Sequence, residues 1–103
     1  MAHCPYKHLA DLRDCLAEIR GWPGIIEPRP GIFYVGRTAF LHFHLKDGAR
    51  SADVRAGKDW GRLVSIPIAS SARLKKRFLS EVKRRYNATI VVTGKRPQHQ
   101  MKE

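Results

Sequence analysis

Apolar residues recur at helical spacing near both ends of the chain and at every second position in the middle. Leu9, Leu12, Leu16 and Ile19 follow one another at intervals of 3, 4 and 3, with Cys15 widening the stripe and Lys7, Asp11, Arg13, Asp14 and Glu18 on the other side. This pattern predicts an amphipathic helix that opens at Pro5 and stops at Gly21 and Pro23. Residues 21–31 hold three Pro and three Gly and read as a stiff connection with at most a short extended piece.

A run of hairpins follows. Ile32–Val35 is a short apolar strand, Gly36-Arg37 a two-residue turn, and Thr38–Lys46 the return strand. Asp47-Gly48 is a strong hairpin signal, leading into a strand near Ala49–Arg55. Ala56–Gly61 reads as a loop carrying Trp60, and Arg62–Ile68 as a strand that Pro67 ends or places at a sheet edge. Ser70 or Ser71 then caps a helix over Ala72–Tyr86 that closes at Asn87, and the β-rich Ala88–Thr93 (ATIVVT) reads as a last strand. The order is α-β-β-β-β-α-β. It implies an α+β two-layer domain over residues 1–93, with a mostly antiparallel sheet and two helices packed on one of its faces. Residues 94–103 read as a polar, basic, flexible tail.

An α-helix turns about 100° per residue, and projecting residues 72–86 on that basis groups Leu74, Phe78, Val82 and Tyr86 within about 120°, with Leu79 and Ala72 beside them. Lys83, Lys76, Arg73, Arg84 and Arg77, with Ser80 among them, fill the opposite sector, and Glu81 lies at its margin. Like charges spaced i,i+4, as Arg73 and Arg77 are, cost a few tenths of a kcal/mol. A polyanion turns that repulsion into attraction by displacing counterions. A solvated face kept for solubility is the plainer alternative.

Charge distribution adds weight to the first reading. The net charge is +11, and Arg62–Glu103 holds eleven Lys/Arg against Glu81 and Glu103, so 11 − 2 = +9 lies there. A basic half joined to a near-neutral half points to nucleic acid as partner, bound through phosphates. The expected contacts are Arg73, Lys76, Arg77, Lys83 and Arg84, assisted by Lys95 and Arg96. Ser70, Ser71 and Arg73 also gather where a helix N-terminus favours an anion, although serine is there equally well as a plain cap. An accessory module for an acidic protein is a further alternative.

Phe40-Leu41-His42-Phe43-His44-Leu45 alternates strictly. A two-residue turn at Asp47-Gly48 pairs Leu41 with Val54, His42 with Asp53, Phe43 with Ala52 and His44 with Ser51. Leu41, Phe43, Leu45, Ala52 and Val54 then face the core. Phe40, His42, His44, Lys46, Ser51, Asp53 and Arg55 share the other face. There Asp53 is placed to orient the His42 imidazole as a carboxylate does for a general base, and His42, His44 and Asp53 offer the two-imidazole, one-carboxylate donor set of a facial metal triad, or a phospho-ligand site. A small enzyme or ligand-binding protein is therefore the rival to a non-enzymatic nucleic-acid-binding domain. A cross-strand hydrogen bond on a half-exposed face is the structural alternative. His3, Cys4 and His8 add donors, but at spacings that fit no zinc motif.

An apolar fraction of 43% with Trp22, Trp60 and four Phe separates the chain from disordered basic tails. No run approaches the ~20 apolar residues of a membrane span, and no apolar leader core precedes the first helix, so a cytoplasmic location without membrane partners is expected. Cys4 and Cys15 would lie roughly 16 Å apart on a helix, beyond the ~7 Å reach of a disulfide, and read as reduced thiols. No cofactor is called for.

Residues 9–55 resemble small bacterial domains called MmcQ/YjbR-like. The shared features are the helix around Leu9–Ile19, Pro23-Gly24-Ile25-Ile26-Glu27, Phe33-Tyr34-Val35-Gly36-Arg37 with Phe40, and Asp47-Gly48. The resemblance implies a helix, a Pro-Gly connection and a curved antiparallel sheet. Members of that family are described as double-wing DNA-binding proteins without a secured activity.

Overall fold

The computed structural model describes residues 4–93. A 3-10 segment over Tyr6–Leu12 runs directly into helix α1, Arg13–Arg20. Four strands follow as an antiparallel meander: β1 Ile25–Arg29, β2 Ile32–Val35, β3 Thr38–Lys46 and β4 Ala49–Ala56. The outer edge of β4 is shared by two short strands. β5, Asp59–Trp60, pairs with Arg55 and Ala56, and β6, Val64–Ser65, pairs with Ser51 and Ala52. Helix α2, Ala72–Thr93, then crosses the sheet, chiefly over β4. The α+β two-layer architecture is the expected one.

The expected helical stripe is the buried one: Leu9, Leu12, Leu16 and Ile19 are at most 1% exposed. They meet the inward residues of the sheet and of α2. Trp22 stacks against Tyr86 at 5.0 Å and Phe43 against Phe78 at 5.9 Å. Cys4 and Cys15 are buried and unbonded to each other, and burial pushes both thiols up from their ordinary pKa.

Several expectations change in the structure. The segment Ala88–Thr93 is not a strand, for α2 continues unbroken through Asn87 to Thr93. Phe78, Val82, Tyr86, Thr89 and Ile90 are buried and extend one stripe, and the Thr89 hydroxyl donates back to the Arg85 carbonyl at 2.8 Å. A continuing period with a packed face outweighs the weak strand preference of β-branched residues. The expected strand Arg62–Ile68 shrinks to Val64–Ser65, while part of the expected loop pairs as β5.

Phe40 differs too. It is fully buried in the core instead of sharing the outer face with the histidines. The pairing of β2 with β3 slips by one residue, from Phe33 opposite Leu41 to Tyr34 opposite Ala39. Phe40 is the extra residue, and such a bulge turns it inward beside Leu41, edge-on to Tyr86 at 6.1 Å.

Candidate nucleic-acid interface

Helix α2 starts as a capped helix should, since the Leu74 amide donates to the Ser71 hydroxyl at 3.2 Å. Its inward stripe fixes which residues point outward. Arg73, Lys76, Arg77, Lys83 and Arg84 are all exposed, as the projection requires. They do not act as one row. Arg73, Lys76 and Arg77 make no hydrogen bond or ion pair among the described residues. Arg84 is held by Glu81 through two contacts, Nη2–Oε2 at 2.6 Å and Nε–Oε1 at 3.1 Å. Lys83 turns to the far side, its ammonium 4.7 Å from the centre of the Trp22 ring. Lys95 and Arg96 lie outside the described residues.

Lys76, Arg77 and Arg84 line a groove of about 720 Å³ between α2 and β6. Val64, Leu74 and Phe78 give it an apolar lining, and Glu81 is its single acidic lining residue. Three cations against one carboxylate leave 3 − 1 = +2. Glu81 contacts both Arg84 and Arg85, and the Arg84 guanidinium foremost holds its carboxyl below the ordinary range. On the other side of Lys76 a smaller groove of about 400 Å³ separates α1 from α2 and is edged by Asp14 and Glu18. On α2 the unpaired positive surface is therefore bounded and centres on Arg73, Lys76 and Arg77.

Several cations of the basic half are engaged elsewhere. Arg85 is buried on the core side of α2, donating to Glu81 at 2.6 Å, the Val54 carbonyl at 3.1 Å and the Arg62 carbonyl at 2.9 Å. Lys75 reaches the Asp11 carbonyl at 3.2 Å. In the first half, Arg50 has no exposed side chain and uses all five of its N–H donors. Two go to Asp11, at 2.6 and 2.9 Å, and the others to the carbonyls of His8, Ile66 and Pro67. That bidentate pairing pulls the Asp11 carboxyl down to about 2. Sequence reasoning passed over Arg50, although its position opposite Leu45 places it on the core face of the hairpin.

The β3–β4 register is the expected one in full, including His42 opposite Asp53 and His44 opposite Ser51. The hydrogen bond, however, runs diagonally. His44 Nε2 is 2.6 Å from Asp53 Oδ2, whereas His42 Nε2 is 3.7 Å from the same oxygen. The two imidazoles meet edge to face at 4.7 Å. Trp60 stands edge-on to His42 at 5.1 Å, and the Arg55 guanidinium lies 4.7 Å above the Trp60 ring. Sequence reasoning treated Trp60 only as a loop residue; its neighbours follow from β5 pairing Trp60 with Arg55.

No family model, curated protein or solved structure matches this chain. No helix among the described residues is long and apolar enough to cross a membrane.

Proposed function

We propose that this domain binds nucleic acid through its phosphates, with Arg73, Lys76 and Arg77 as the main contacts and Arg84 as a secondary one. The observation that supports this is the set of three adjacent exposed cations on one rigid helix with no carboxylate partner among the described residues. An ordinary solvated helix face offsets such charge with i,i+4 acids. This helix directs its one acid, Glu81, to Arg84 and Arg85. The +2 groove beside the ridge widens the positive surface into a concave one. The resemblance of residues 9–55 to double-wing DNA-binding domains supports the same reading.

Phosphate contacts carry affinity without sequence information. Titration of the full chain against two duplexes of unrelated sequence should therefore give affinities within a few-fold of each other. Three to four contacts should give a slope of log K against log salt of about −3, at ~0.9 per neutralised phosphate. Absence of binding to either duplex at low salt, with the domain folded, overturns the proposal. Binding that discriminates strongly between the duplexes overturns the phosphate-only mode.

A further inference from the structure

We propose that His42, His44 and Asp53 form a site for a divalent transition-metal ion of the zinc type, separate from the cationic ridge. Their ligand atoms all lie within 4.8 Å of one another. All three residues sit on the regular β3–β4 ladder, so their spacing is set by strand register rather than by a loop. Bonds of about 2.0–2.1 Å at a tetrahedral zinc place two donor atoms about 3.3 Å apart. The present separations to Asp53 Oδ2, 2.6 Å from His44 and 3.7 Å from His42, fall either side of that value. The two imidazole donors lie up to 4.8 Å apart, so the histidine side chains close by roughly 1.5 Å between them as the His44–Asp53 hydrogen bond and the His42 contact give way to three metal bonds.

The donor set selects the ion. Two imidazoles and one carboxylate suit zinc and its first-row neighbours, whereas calcium and magnesium require oxygen donors. Three protein ligands leave a fourth position for water. His42 also lines a groove of about 500 Å³ with Pro28, Arg29, Ile32 and Tyr34, and the side chains of His42 and Asp53 are both partly exposed. Trp60 is packed on His42 and pinned by Arg55, so the imidazole is held in place before an ion arrives.

Two features moderate the affinity. The net charge of +11 opposes any cation, although salt screens this beyond about 10 Å at 0.1 M. His44 Nδ1 is buried with no hydrogen-bond partner among the described residues. A metal on Nε2 thus lacks the acceptor that normally orients a ligating imidazole from behind. The site should accordingly bind an ion reversibly and is not required for folding.

Zn²⁺ titrated calorimetrically into the metal-free full chain should bind with one equivalent. His42→Ala and Asp53→Asn should each weaken that binding by at least about tenfold, the scale on which even outer-shell partners act. Co²⁺ should give the visible absorption of a four-coordinate site, lost in both variants. In NMR spectra the Trp60 indole signal should shift on zinc addition while that of Trp22 stays in place. His3→Ala with His8→Ala removes the competing N-terminal donors and should leave the binding intact. His42 is partly exposed at the side chain, so His42→Ala keeps the test decisive if Asp53→Asn misfolds. No heat with the wild-type chain overturns the proposal, as does binding that survives His42→Ala or is lost only with His3 and His8.

Discussion

Single residues in this chain show how a positive charge can be spent on structure. Arg50 and Asp11 join the β3–β4 hairpin to the 3-10 segment, and the three carbonyls that Arg50 also takes tie in residues 8, 66 and 67. Lysine offers three donors on a point charge and cannot reproduce the planar fork. Arg50→Lys should cost at least about 3 kcal/mol in denaturant unfolding, because it leaves buried acceptors unpaired beside a carboxylate. The pair also sets an acid limb. Asp11 is held near 2 against an ordinary value of 3.8, so its contribution is complete above about pH 4 and is lost as pH falls through 2. A displacement of nearly two pH units corresponds to about 2 kcal/mol. Asp11→Asn should therefore lower stability at neutral pH and flatten its decline between pH 4 and 2, as urea melts across that range would record.

Elements were readable where pattern and turn chemistry agreed. The Asp47-Gly48 turn, with both residues at positive φ, fixes the β3–β4 register that the alternation of the strand requires. The bulge that buries Phe40 was not readable, since alternation carries no mark of an inserted residue. Nor was the diagonal choice of His44 over His42, which depends on side-chain rotamers within a correct register. The end of α2 was missed for a different reason: ATIVVT has strand propensity, but Thr89 and Ile90 also continue the stripe of Val82 and Tyr86. Period was the stronger signal there. Two substitutions test the continuous helix. Asn87 is exposed within it, so Asn87→Ala should stabilise by up to about 0.5 kcal/mol, whereas a cap at that position would lose stability. Ala88→Pro should cost about 3 kcal/mol and reduce helical circular dichroism.

Across the whole molecule, the +9 of the second half overstates what a partner meets. Arg85 and Lys75 point inward, Lys83 covers Trp22, and Arg84 is shared with Glu81. The helical projection found the outward row because Phe78, Val82 and Tyr86 of its apolar stripe do face inward, although Leu74 and Ala72 at the start of the helix are exposed. It left Lys75 and Arg85, which fall on the apolar side, without a role. Among the described residues of α2, what remains for a polyanion is the short ridge of Arg73, Lys76 and Arg77 with the groove beside it; Arg62 is exposed as well, and Lys95, Arg96 and Lys102 lie outside the described residues. We propose that this ridge, rather than net charge, holds nucleic acid. The direct measurement is duplex binding at several salt concentrations by the wild-type chain, by a variant with Arg73, Lys76 and Arg77 changed to Ala, and by one with Lys7, Arg13 and Arg37 changed to Ala. Both variants lose three positive charges. The ridge variant should lose most of the affinity and bring the salt slope down by about 2 to 3, with melting temperature unchanged or slightly raised as the i,i+4 repulsion is relieved. The control variant should bind almost as the wild type does. Equal losses in the two variants, or full binding by a folded ridge variant, would contradict the account.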